Sequence, residues 1–232
     1  MSITAIPTTY ANGHYRSRLE ARWAAFFDLV GLPYIYEPID AGGYIPDFLI
    51  PGANPLYVEV GPVSTLEEYQ EKATKGLLAL ARGDMNGDLL VVGVDPVGRG
   101  MGARGGGYHD AYIGLHWQRF GPYHVNDVGE GEGLVIESGR LLYRSYSPYT
   151  NTTEDSIPQR FGNPAVIGRC TSHEKHDGNN GCGIGYVMNT LMSFTKNPCG
   201  DYEGGGWTGE LDIPTIERRW REAGALTQWK PR

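Results

Sequence analysis

The run DLLVVGV, residues 88 to 94, is apolar at nearly every position. A strand exposed on one face would alternate polar and apolar residues, so this one reads as a strand covered on both faces. That requires helices or further layers on either side of a sheet, and the flanking text supplies them. Residues 15 to 30, YRSRLEARWAAFFDLV, place Leu19, Trp23, Phe26, Phe27 and Val30 on one helical stripe, stopped by Gly31 and Pro33. Residues 65 to 83 read as a second helix, capped either by Thr65 with Glu68 or by Ser64 with Glu67. Between the helices, residues 34 to 38, 44 to 50 and 55 to 60 read as strands. The short turns DAGG and PGAN favour antiparallel neighbours. The order helix, three strands, helix, strand gives an α/β (α+β) class: a mixed β-sheet flanked by helices.

The second half has a different texture. Glycine makes up 34 of 232 residues, about twice the usual share, and the excess falls after residue 92. LVIES and RLLYRSY suggest a hairpin across Gly139, in a tyrosine-rich setting. Residues 211 to 224 read as a closing helix with Ile216, Trp220 and Ala223 on a narrow apolar stripe. The expected organisation is a core over 1–96 and a Gly/Tyr-rich, β-rich elaboration over 97–232, with the closing helix packed on the core. No apolar run approaches the roughly 20 residues of a membrane span, so no membrane partner is expected. The first residues carry no apolar block after a basic one, so a signal peptide is not expected either. Three widely spaced cysteines argue for a reducing compartment.

The stretch YIPDFLIPGANPLYVEVGP, residues 44 to 62, ends each of two apolar runs near an acid, Asp47 and Glu59. Tyr57, Glu59 and Gly61 share one face of their strand, and Val58 and Val60 face the other way. If the two strands pair, Asp47 and Glu59 converge at one end of the sheet. Glu20, about 75° from the middle of its helix stripe, approaches from beside the core. Carboxylates gathered this way repel one another unless a cation holds them, and hard oxygen donors suit Mg²⁺ or Mn²⁺. The plainer reading makes Asp47 a turn-proximal acid, Pro46 an edge marker and Glu59 a surface residue.

Glu20 in an N-terminal helix, Pro46-Asp47, and Glu59-Val60 twelve residues on, followed by a helix and an apolar strand, resembles the PD-(D/E)XK nuclease superfamily. The similarity covers roughly residues 14 to 96 and extends to small nuclease-like proteins of actinobacteria and their phages. The resemblance implies a restriction-endonuclease-like core that hydrolyses DNA phosphodiesters with one or two divalent ions. It implies Asp47, Glu59 and the Val60 carbonyl as metal ligands, with Glu20 as a ligand directly or through water. The family pattern has a lysine two residues after the second acid, and this chain has Gly61 there. Lys72 and Lys75 on the next helix are the candidates for a relocated cation. The alternative is a catalytically silent binding or structural protein on a nuclease scaffold, in a phage particle or a defence complex. The net charge of −7 and Gly61 favour that alternative, whereas the retained acids favour the enzyme. DNA is the expected partner, with a homo-oligomer or protein complex also open. The bacterial or phage-infected cytoplasm is the expected location, with the virion as the other.

Three other groupings stand out. Cys170, His173, His176 and Cys182, with Cys199 as a replacement, carry the residue types of a structural Zn²⁺ site. Their spacing is not that of a standard finger, and a loop with coincidental Cys and His is the simpler expectation. GMGARG, residues 100 to 105, matches GxGxxG but opens no clear helix, so a glycine loop is expected rather than a dinucleotide site; its Arg104, with Arg99, could contact phosphates. His109, His116 and His124 are expected to be surface or core-edge residues.

Overall fold

The computed structural model describes residues 5–51, 55–96, 112–117, 122–161, 163–170, 184–188, 207–208 and 213–228. In chain order the elements are β1 (Thr8–Tyr10), β2 (Gly13–Tyr15), α1 (Arg18–Val30), β3 (Ile35–Tyr36), β4 (Phe48–Ile50), β5 (Leu56–Val60), α2 (Leu66–Arg82) and β6 (Asp88–Val92). There follow β7 (Tyr112–Trp117), β8 (His124–Val125), β9 (Gly131–Glu137), β10 (Arg140–Ser147), β11 (Thr152–Ser156), a 3₁₀ turn at Pro158–Phe161, β12 (Asn163–Cys170), β13 (Ile184–Met188), β14 (Trp207–Thr208) and α3 (Ile213–Leu226).

The main sheet runs β13-β12-β7-β6-β5-β4-β3, with β14 beside β12. Among the described residues of this sheet, β5 and β6 pair in parallel, with α2 as the crossover between them, and the other pairs are antiparallel. The architecture is therefore a mixed sheet with helices, compatible with an α/β class. The sheet continues across residue 96, because β7 pairs with β6 and β12 with β7. A second, antiparallel sheet runs β11-β10-β9-β8. No helix among the described residues is long and apolar enough to cross a membrane.

The sheet separates two apolar layers. Leu90 and Val92 join Val58, Val60 and the aromatic stripe of α1, with Ile216, Trp220 and Ala223 of α3 completing that side. Leu89 and Val91 look the other way, onto Leu77 and Leu80 of α2, with Trp117 and Leu134. The apolar run at 88–92 thus reaches a core on each face. Trp23 is fully buried, packs against Trp220 and donates its indole N–H to the Gly93 carbonyl at 2.9 Å. On its other face Trp220 carries the Arg22 guanidinium, 3.9 Å from the ring centre.

Helix α1 begins at residue 18, not at residue 15. Ser17 is extended and its hydroxyl accepts from the Glu20 N–H at 3.1 Å, while Tyr15 belongs to β2. The β1–β2 hairpin turns through Ala11 and Asn12, both at positive φ, as a two-residue hairpin loop requires. Ser17→Ala removes the acceptor for one helix-start N–H. It should lower the unfolding free energy by about 1 kcal/mol in a urea titration, with an unchanged slope. Helix α2 carries the Thr65–Glu68 capping box, to which the Ser64 N–H adds a 2.7 Å bond to Glu68. The strand expected over 44–50 shrinks to β4, because Pro46 offers no N–H. Ala41 and Tyr44 instead close a tight turn over Gly42 and Gly43, both at positive φ.

Candidate active site

Strand β4 pairs with β5 so that Phe48 faces Val58. The same register carried one step further sets Asp47 opposite Glu59, at the end of the ladder and on one face of the sheet. In an antiparallel pair such neighbours have Cβ atoms about 4.5–5.5 Å apart. Both side chains are buried, as is Glu20 from α1, with relative exposures of 4%, 8% and 8%.

Each carboxylate is held individually. Asp47 Oδ2 accepts the Val60 N–H at 2.7 Å, and Oδ1 accepts from Arg16 Nη2 at 2.7 Å. Glu59 Oε2 accepts the Tyr44 hydroxyl at 2.7 Å, and Oε1 meets Lys72 Nζ at 2.6 Å. Glu20 Oε2 accepts the Tyr36 hydroxyl at 2.7 Å and the Arg16 N–H at 3.1 Å. The Gly61 N–H turns to Val92 on β6, so strand alternation directs the polar groups of Val60 to the other side, toward Asp47.

Burial pushes the Asp47 carboxyl up to about 7, and the negative charges of Glu59 and Glu20 add to the shift; the Val60 N–H and the Lys72 charge pull the other way. Burial, together with the adjacent Glu59 charge, also holds the Tyr44 hydroxyl well above its ordinary range. Tyr44 therefore stays a donor to Glu59 at any ordinary pH.

Lys72 lies over the glycine at position 61. A Cβ on Gly61 would come within 3.0 Å of Lys72 Cε and 3.3 Å of its Cδ. The stem of Lys72 thus fills the space that a side chain at 61 would take, and its ammonium reaches Glu59 from the helix. Lys75, one turn along, does not make that contact. It lines an open cleft of about 320 Å³ with Glu59, Val63, Glu68, Glu71 and Lys72.

Among the described residues no three His, Cys, Asp or Glu side chains stand in ready-made metal-binding geometry. Asp47 and Glu59 are instead held by the chain's own cations, Arg16 and Lys72. The side chains are nonetheless hard oxygen donors of the type that divalent ions take: three buried carboxylates, that of Asp47 with its proton affinity raised by burial and by the charges of Glu59 and Glu20.

Arg16, Tyr36 and Tyr44 were not evident as site residues. Arg16 precedes Glu20 by four positions, a spacing that hints at a shared side, but the two tyrosines reach the acids from β3 and from the turn before β4. His116 is fully buried on β7 and meets Asp88 at 3.0 Å, remote from these acids in the ladder, so it is a core residue rather than a core-edge one. His124 is exposed on β8. Cys170 ends β12, while His173, His176, Cys182 and Cys199 lie outside the described residues, as do His109, Arg99 and the GMGARG segment.

Compared with known proteins, the chain matches no family model, no curated protein and no solved structure.

Proposed function

We propose that this protein is a divalent-metal-dependent nuclease of the PD-(D/E)XK type that hydrolyses DNA phosphodiester bonds, with its catalytic lysine moved from the strand to the following helix. The observation that carries the reading is Lys72, whose stem lies over Gly61 and whose ammonium sits 2.6 Å from Glu59. The position that the motif assigns to lysine is occupied in space, although not in sequence. This supports the enzyme reading over a catalytically silent scaffold.

Asp47, Glu59 and the Val60 carbonyl would hold Mg²⁺ or Mn²⁺, with Glu20 as a further ligand directly or through water. When bound, such an ion lowers the pKa of an attacking water and offsets charge on the phosphoryl oxygen. Tyr44 and Tyr36 fix the orientation of Glu59 and Glu20 by hydrogen bonds to one oxygen of each. Lys72 orients water beside Glu59 and stabilises the negative charge that develops as water adds to phosphorus and the ester oxygen leaves. Lys75 and the cleft beside it would receive the phosphate backbone.

The test is incubation of plasmid and linear DNA with the protein in Mg²⁺ or Mn²⁺, beside an EDTA control and the Asp47→Ala variant. Cleavage is expected only with the metal and only with Asp47. Absence of cleavage on every DNA form, with no metal-dependent rise in Tm, would return the protein to the silent-scaffold reading.

A further inference from the structure

Arg16 occupies an unusual place for an exposed arginine. Its backbone N–H is pinned by two bonds, to Glu20 Oε2 at 3.1 Å and to the Tyr36 hydroxyl at 3.0 Å. Its side chain is 53% exposed, yet the guanidinium reaches inward among three acids, with Glu20 Oε2 the farthest at 4.0 Å from Nε and Asp47 and Glu37 in closer contact. Nη2 lies 2.7 Å from Asp47 Oδ1, and Nε lies 2.7 Å from Glu37 Oε1.

The two oxygens of Asp47 are therefore unequal. Oδ2 is held by the Val60 N–H, which belongs to the sheet and cannot withdraw. Oδ1 is held by a solvent-exposed side chain that can. Glu37 keeps a second anchor for that side chain in place: it adopts φ of 45°, an uncommon backbone for a residue other than glycine, and its N–H donates to the Asp47 carbonyl at 2.9 Å. A surface arginine pair adds little to stability by itself. An acid held at a strained backbone position beside it points to a use for the pair other than stability.

We propose that Arg16 gates the divalent-ion site, its guanidinium competing with the metal for Asp47 Oδ1 and retiring onto Glu37 when the metal binds. This rests on the metal-site reading above. A guanidinium beside a dication is repelled by it, so the two do not share Asp47 at full strength. Once withdrawn, Arg16 stays at the rim of the site, and its planar fork suits two oxygens of a phosphate group. The chain's own cation thus holds the acids together before metal arrives and becomes available to the substrate phosphate afterwards.

The experiment is Mn²⁺ titration of the metal-free full chain, read by the electron-paramagnetic-resonance signal of free Mn²⁺ and by calorimetry. Wild type is compared with Arg16→Gln and Glu37→Gln, and folding is checked by circular dichroism. Arg16→Gln is expected to bind Mn²⁺ about tenfold more tightly, because a competing charge has gone. Glu37→Gln is expected to bind several-fold more weakly, because Arg16 loses its alternative anchor. Equal or weaker binding by Arg16→Gln overturns the gate while leaving the metal site standing. Absence of Mn²⁺ binding at millimolar concentration in both wild type and Arg16→Gln overturns the gate and the metal site together. Should Arg16→Gln fail to fold, Glu37→Gln decides alone, and binding as tight as wild type or tighter sinks the gate.

Discussion

Lys72→Ala should reduce the rate of DNA cleavage by about two to three orders of magnitude while leaving Mn²⁺ binding intact or tighter. The reason is the division of labour at Glu59. Its carboxylate would serve the metal, while the ammonium 2.6 Å from Oε1 would serve the water and the developing charge. Truncation at Cβ removes the second function and leaves the Glu59 charge without its ammonium partner. The sharper form of the experiment moves the lysine back. Gly61 is not at positive φ, so a side chain there brings no backbone strain, and its obstacles are the flexible end of Lys72 and, at 3.3 Å, Val63 Cγ1. In the Gly61→Lys, Lys72→Ala double variant the Lys72 stem is gone, Val63 has to give by only a few tenths of an ångström, and the new ammonium projects from the same strand face as Glu59. Its cleavage rate should exceed that of Lys72→Ala by at least about tenfold. Gly61→Lys alone should lose activity, because two lysine stems then contend for one space. Single-turnover rates at saturating Mn²⁺ measure all three. Full activity in Lys72→Ala would sink the relocation and give the role to Lys75 or to neither lysine.

The contact of Lys72 with Gly61 and Glu59 illustrates where sequence pattern reaches its limit. Gly61 taken alone looks like a lost catalytic group, because spacing along a strand reports only which residues share a face. The contact that gives it meaning runs from α2 to the end of β5, and periodicity does not choose between Lys72 and Lys75, which stand one turn apart on the same side of the helix. Only the register of helix against strand separates them. Glu20 was more accessible to inference: its offset from the apolar stripe put it at the border of the core, and it is buried there with a tyrosine partner.

The elements show the same division. The both-faces pattern at 88–92 was legible because it needs nothing from outside the strand. The Thr65–Glu68 cap and the Ser138-Gly139 turn between β9 and β10 follow from local chemistry in the same way. The β1–β2 hairpin turns through Ala11-Asn12, which is not a standard turn pair, and the helical stripe that begins near it hides the pairing of Tyr15. The antiparallel addition of β7 and β12 to the far edge of β6 depends on pairing between segments separated by glycine-rich text. Gly114 on β7 shows why: an added Cβ there would lie 2.1 Å from the Val91 carbonyl oxygen, so the strand needs a glycine for close approach to its neighbour. Composition registers only an excess of that residue.

The stability of the metal-free protein should carry the signature of Asp47. An aspartate in an unfolded chain titrates near about 3.9, and in the fold burial and the Glu59 charge push Asp47 up to about 7. The folded state therefore binds the proton more strongly than the unfolded state. The favourable contribution is complete below pH about 4 and is lost as the pH climbs toward about 7. Asp47→Asn removes this titration and leaves the other carboxylates to titrate in both proteins. With EDTA present, wild type and variant should be similar in stability near pH 4.5, and wild type should fall behind by about 2–4 kcal/mol by pH 7.5. Arg16 opposes this trend by favouring the ionised form, but it is more than half exposed and its pull is screened by water. At pH 7.5, Mn²⁺ should restore wild type and leave Asp47→Asn unchanged, since the ion then compensates the charge that the proton compensates in acid. Urea unfolding at several pH values, with and without Mn²⁺, measures both effects. A gap that widens in favour of wild type as pH rises would mean that Arg16, not the neighbouring acids, governs Asp47. It would also remove the electrostatic reason for a divalent ion at this end of the sheet.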